Sequence, residues 1–131
     1  MTARNNDTSQ QRAHRGSMSF HAGLAAEGAI VRNYAQRGYP LAQQRWRGKS
    51  GEIDLILNDG DGLIFVEVKQ SRSFERAALR VSAVQMRRIY RCAEEYLGTQ
   101  PRGSLTEVRF DVALVNGFGE TQIIENAFGH C

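Results

Sequence analysis

Cysteine is nearly absent from this chain of 131 residues: there are two, Cys92 and Cys131, and their spacing suits no metal-ligand set. A disulfide scaffold and a cysteine zinc site are excluded on that ground. Two prolines exclude collagen-like and mucin-like chains. No stretch approaches the roughly 18 consecutive apolar residues of a membrane-spanning helix. The basic residues near the N-terminus are followed by no apolar stretch, so no secretory leader is expected and the cytoplasm is the expected location. Three catalytic devices are also missing: a Gly-rich phosphate loop, a nucleophile elbow and a Cys–His pair.

What remains has the composition of one small folded domain, with 41% hydrophobic and 24% charged residues. Lysine is scarce too, since fifteen of the seventeen basic residues are arginine. The planar guanidinium donates bidentately and suits phosphate. Net charge is only +3, but it is unevenly spread. Arg32 to Lys49 holds five basic residues and no acidic one, and Arg72 to Arg91 holds six arginines against Glu75 alone. The acidic residues gather between Glu52 and Glu67. Basic flanks around an acidic centre suit a polyanion-binding surface built about a metal site, although a solvated charged face gives the same pattern.

Residues 1–18 are polar without an apolar period and are expected to form a flexible arm, leaving 19–131 as a single domain. From Phe20 to about Arg37 the pattern is helical, with Phe20, Leu24, Val31 and Tyr34 on one stripe and Gly38 as the stop. Residues 39–47 read as a strand, followed by a break at Gly48–Gly51. Ile53 to Leu57 and Leu63 to Lys69 flank an Asn-Asp-Gly-Asp-Gly turn and read as a β-hairpin. A helix over about Ser82–Leu97 directs Met86, Ile89, Ala93 and Leu97 inward and Arg87, Arg91 and Glu94 outward. Strands follow at Val108–Leu114 and Thr121–Glu125. The expected order is αβββαββ, an α/β domain with a mixed central sheet.

Three acidic positions resist a purely structural account. Glu27 lies within the apolar stripe of the first helix. A carboxylate buried there must be paired, protonated or bound to metal, and an arginine partner is the structural alternative. In the hairpin, a turn centred on Gly60–Asp61 sets residues whose numbers sum to 121 opposite one another. Asp54 then faces Glu67, and Glu52 faces Lys69. Directly opposed like charges destabilise a sheet by ~0.2–1 kcal/mol unless a cation bridges them. Glu67 and Lys69 share a face by the two-residue strand period. The structural alternative is a solvated face with a Glu52–Lys69 ion pair, which leaves Asp54 against Glu67 unexplained. Two carboxylates at strand separation suit Mg²⁺ or Mn²⁺, and a neighbouring lysine can orient water or stabilise charge on an attacked phosphoryl group.

These motifs, Gly51-Glu-Ile-Asp-Leu-Ile56, Phe65-Val-Glu-Val-Lys69, the helix with Arg88-Ile89, Ala93 and Tyr96-Leu97, and the strand Arg109-Phe-Asp-Val112, resemble the YraN-like family of small bacterial proteins. The resemblance runs from residue 20 to about 128. It implies a restriction-endonuclease-like core similar to the PD-(D/E)XK nucleases and the archaeal Holliday-junction resolvases. It further implies Glu27, Asp54, Glu67 and Lys69 as the active-site set, with the backbone carbonyl of Val68 a further metal ligand and Glu27 acting directly or through water. Three positions depart from the family pattern: Arg45 stands where Asn is usual, Ser71 where Arg is usual and Gln85 where Lys is usual.

The expected function is therefore Mg²⁺- or Mn²⁺-dependent phosphodiester hydrolysis in nucleic acid, DNA first. Arg45, Trp46, Arg47, Lys49, Arg72, Gln85 and Arg88 form the expected nucleic-acid footprint, with Arg87 further out. Trp46 can stack on a base or pack on the sheet. Asp111 and Arg109 are expected to form a structural ion pair, and His14, His21 and His130 are given no role beyond surface or terminus. Two other readings stay open: a non-catalytic nucleic-acid-binding module of this fold, and an assembly protein that meets an acidic protein. No membrane partner is expected, and the oligomeric state is open, a homodimer included.

Overall fold

The computed structural model describes residues 23–128. The expected arm, the start of the first helix at Phe20, and His14, His21, His130 and Cys131 lie outside the described residues.

The first helix, α1, covers residues 23–36 among those described. Gly38, at φ +92°, lets the chain turn out of it, and the Arg37 and Tyr39 N–H groups both donate to the Tyr34 carbonyl. The strands β1 (Leu41–Arg47), β2 (Glu52–Asp59) and β3 (Gly62–Gln70) follow, then α2 (Phe74–Leu79), α3 (Ala83–Leu97), a 3₁₀ turn at Gly103–Leu105, β4 (Val108–Val115) and β5 (Thr121–Ile124). The sheet order is β1-β2-β3-β4-β5. Only the β3–β4 pair is parallel, so the sheet is mixed, as expected. A parallel pair needs a long crossover, which α2 and α3 supply.

Both sheet faces are covered. On one, Ala26, Ile30 and Tyr34 of α1 pack on Leu55, Leu57, Ile64, Val66, Ala113 and Val115. On the other, Ile89, Cys92, Ala93 and Tyr96 of α3 pack on Ile53, Ile56, Leu63, Phe65 and Phe110. This double burial explains why β3 opens with an unbroken apolar run rather than an alternating one.

Several expectations are corrected. The inward stripe of α1 is Ala26, Glu27, Ile30 and Tyr34, whereas Leu24 is exposed and Val31 only half-buried. Ala26 faces the sheet in the place where Leu24 was expected. On α3 the inward set also includes Cys92 and Tyr96, while Met86 and Leu97 are half-buried. The helix α2 is an addition to the expected order. Ser73 caps it, its hydroxyl accepting the Arg76 N–H at 3.2 Å.

At one end of the sheet, buried Asp111 ties three elements together. It accepts Tyr34 Oη at 2.6 Å, Arg109 bidentately at 2.9 and 2.9 Å, and the Asn126 N–H at 2.9 Å. The Arg109–Asp111 ion pair is thus structural, as expected. Burial and the Asp111 carboxylate hold the Tyr34 hydroxyl far above its ordinary range.

Candidate functional site

The β2–β3 turn is the two-residue Gly60–Asp61, with Gly60 at φ +61°. It sets Asp59 opposite Gly62, Asn58 opposite Leu63, Leu57 opposite Ile64, Ile56 opposite Phe65 and Leu55 opposite Val66. Every pair sums to 121, the register read from the turn. One step beyond this ladder the Asp54 and Glu67 carboxyl groups meet, and Glu67 shares a hydrogen bond with Asp54. Asp54 Oδ2 also accepts the Val68 N–H at 2.8 Å. Lys69 Nζ stands 3.8 Å from Glu67 Oε1, with side chains 14% and 8% exposed. The structure therefore gathers Asp54, Glu67 and Lys69 where the β2–β3 ladder ends.

Burial, then the hydrogen bond to Asp54 and its charge, push the Glu67 carboxyl up to about 9, with Glu52 adding to the rise and Lys69 opposing it. Burial and the neighbouring carboxyl group thus both disfavour a second negative charge here, and a divalent cation would relieve that repulsion. Among the described residues no group of three or more His, Cys, Asp or Glu side chains could hold an ion. Two carboxyl groups could hold only an ion that fills its remaining positions with other oxygen donors such as water and phosphate.

Glu27 is buried, as expected, and its partners belong to β1. Its Oε1 accepts Gln44 Nε2 at 3.0 Å and Arg45 Nε at 3.1 Å, and its Oε2 accepts Arg45 Nη2 at 3.2 Å. The arginine alternative for this glutamate is the one realised. Arg45 adopts φ +52° within the strand. Glu27 first, then Glu52 and Asp54, raise the pKa of its guanidinium. Arg45 thus links Glu27 electrostatically to the Asp54 cluster. Asn adopts this left-handed region more readily than Arg.

Glu52 pairs with Arg47, directly opposite it in β1, at 2.9 Å and not with Lys69. Lys69 is turned to Glu67, and the β2–β3 ladder has ended before Glu52. The remaining expected contacts divide. Arg47, Lys49 and Arg88 line one cleft with Ser50, Gly51 and Glu52. Arg72 and Gln85 do not line it; Arg72 is exposed and Gln85 half-buried beside the Ser82 cap of α3. Trp46 is half-buried with its ring edge-on to Tyr96 at 5.2 Å, so packing is its role.

Sequence reasoning missed Gln44 and Glu95. The Glu95 carboxylate accepts the backbone N–H groups of Lys49 and Ser50 at 3.0 and 3.3 Å. Nothing near Glu95 in the sequence signals partners 45 and 46 residues away on another chain segment.

The fold and the cluster define an α/β domain with a five-stranded mixed sheet and a carboxylate–lysine group beside its parallel strand pair. Residues 26–115 match the uncharacterised protein family UPF0102. A UPF0102 protein of Roseobacter denitrificans is 54% identical over 116 residues, 88% of this chain and 90% of its own length. One of Ruegeria pomeroyi is 55% identical over 118 residues, covering 90% and 96% of the two chains. One of Cereibacter sphaeroides is 56% identical over 113 residues, covering 86% and 97%. The chain belongs to UPF0102, the YraN-like family that its motifs resemble. Among the described residues no helix is long and apolar enough to cross a membrane.

Proposed function

We propose that Asp54, Glu67 and Lys69 are the active site of a Mg²⁺-dependent nuclease that hydrolyses phosphodiester bonds in DNA, on a restriction-endonuclease-like core. The observation that carries this reading is the meeting of a half-buried Asp54 carboxyl group and a buried Glu67 carboxyl group within reach of a lysine. Such an arrangement is costly as a structural device and useful as a cation site.

The Val68 N–H fixes the Asp54 carboxylate, and the strand backbone fixes Glu67 beside it. Mg²⁺, when bound, supplies Lewis-acid polarisation of a phosphoryl oxygen. Asp54 and Glu67 would hold it, with the Val68 carbonyl as a further oxygen donor. Lys69 orients the attacking water and offsets the negative charge that builds on the phosphoryl group. Glu27 holds Arg45 close to this cluster, and Arg47, Lys49 and Arg88 attract the nucleic-acid backbone.

A second reading has one observation in its favour. Glu27 is engaged by Arg45 and Gln44, as suits a nucleic-acid-binding module without turnover. The experiment that decides is cleavage of single-stranded, duplex, flapped and four-way DNA with Mg²⁺ or Mn²⁺. Metal-dependent cleavage that disappears in folded Lys69→Ala and Glu67→Ala supports the nuclease. Binding without cleavage across the panel supports the module.

A further inference from the structure

The loop between β1 and β2 is built in one setting. The Gly48 N–H donates to the Gly51 carbonyl at 2.9 Å and closes a tight turn. Below it, Glu95 Oε1 accepts the Lys49 N–H at 3.0 Å and Ser50 Oγ at 3.4 Å, and Oε2 accepts the Ser50 N–H at 3.3 Å. A Cβ at Gly48 would collide with Glu95 Oε2 and would lie 2.9 Å from the Trp46 ring. Gly51 sits at φ +145°, and a Cβ there would lie 2.8 Å from Arg88 Cδ. Glu95 below and Arg88 across therefore pack closely on the loop at its two glycines.

The result is a cleft of about 340 Å³ into which Arg47, Lys49 and Arg88 converge. Among the described residues neither Lys49 nor Arg88 has an ion-pair partner. The partner of Arg47 is Glu52, in a pair whose arginine is 82% exposed and readily drawn away. The backbone N–H groups of Lys49 and Ser50 are already taken by Glu95, so an anion in the cleft meets side-chain cations. Glu52, which lines this cleft, is two residues from Asp54 and its charge acts on Glu67, so the cleft lies near the carboxylate pair. No aromatic side chain lines it among the described residues. The cleft is thus equipped for phosphate and not for a base.

We infer that Glu95 is a positioning residue that sets the Gly48–Gly51 loop as a subsite for a nucleic-acid backbone phosphate beside the Asp54–Glu67–Lys69 cluster, read without regard to base. This rests on the reading of that cluster as a phosphodiester site, and the two can fail separately.

The test is salt-dependent binding of labelled oligo-dT and oligo-dA of equal length. Arg88→Ala and Lys49→Ala should each flatten the log–log salt slope by ~0.7, one single-strand phosphate contact. Glu95→Ala discriminates by sign. It removes a negative charge, so charge counting alone requires tighter binding, whereas loss of the loop setting requires binding ~3–10-fold weaker with a flatter slope. Glu95→Gln keeps one acceptor oxygen and should fall between, and it stands in should Glu95→Ala not fold. The inference is overturned if both folded Glu95 variants bind as tightly as wild type or tighter. It is equally overturned if the Arg88 and Lys49 slopes are unchanged, if the two homopolymers differ tenfold, or if wild type binds neither. Slopes as expected with no cleavage keep the subsite and remove the nuclease; cleavage with unmoved slopes does the reverse.

Discussion

Asp54 reaches from β2 to accept the backbone N–H of Val68 in β3 at 2.8 Å, and Glu67, the residue before Val68, sets its carboxyl group beside it, with its pKa raised by burial and by Asp54. The strand that supplies one carboxyl group thus also anchors the other. This has consequences for pH, for metal binding and for stability.

The Glu67 carboxyl rises from 4.5 to about 9 on folding, chiefly through burial. The folded protein therefore binds this proton more tightly than the unfolded chain does, and stability falls as pH rises between those two values. Below the lower one both states are protonated and no cost arises. Glu67→Gln keeps the shape and cannot ionise. Its melting temperature should match wild type near pH 4 and exceed it increasingly toward pH 9, by ~4 °C for each kcal/mol relieved. A difference between the two proteins that stays constant with pH would exclude a buried proton at Glu67.

Divalent cation should stabilise the wild type by mass action, with ~2.7 kcal/mol expected at a hundred times the dissociation constant. Thermal melts with millimolar Mn²⁺ should show this rise, and Asp54→Ala should lose it. A shift of the same size in Asp54→Ala would place the cation elsewhere.

Arg45→Ala strands the buried Glu27 carboxylate and should cost about 1–3 kcal/mol in urea denaturation, less than a fully buried pair because the arginine side chain is 34% exposed. Adding Glu27→Gln should recover part of that loss. The double-mutant cycle reads the coupling directly, and a value near zero would make the pair a bystander.

Asp111→Ala removes the common partner of Tyr34, Arg109 and the Asn126 N–H at a fully buried position. A loss of about 3–5 kcal/mol is expected. Tyr34→Phe should cost only ~1 kcal/mol, since it removes one donor. Neither change should alter nucleic-acid affinity well below the melting temperature, as a filter-binding titration can check.

The part of the site on the hairpin was legible because its geometry is local. A two-residue turn fixes that Asp54 and Glu67 oppose, and the strand period fixes that Glu67 and Lys69 share a face. The rest depends on distant partners. The buried stripe of α1 includes the small Ala26, which a search for large apolar residues passes over. The helix α2 spans six residues with only Ala77 fully buried, too little for a period to register. Glu27 was recognised, but its partner depends on a left-handed backbone at Arg45 that nothing in an arginine announces. Glu95 bonds chiefly to backbone N–H groups, so no complementary residue type marks it. Nothing in the structure explains Ser71 or Gln85 in place of the family's usual basic residues.

Arg45 also bears on how the molecule keeps to itself. The strand β1 is an outer edge of the sheet, and an outer edge is a row of backbone groups that another chain can extend. Here the row is interrupted: the pairing slips between Leu41 and Gln43, Arg45 turns to φ +52°, and the exposed charge of Arg47 follows two residues later. A flat, regular β1 would invite strand addition and fibrous association next to the cleft. The backbone turn that carries a cation to Glu27 leaves this edge a poor template for a second chain.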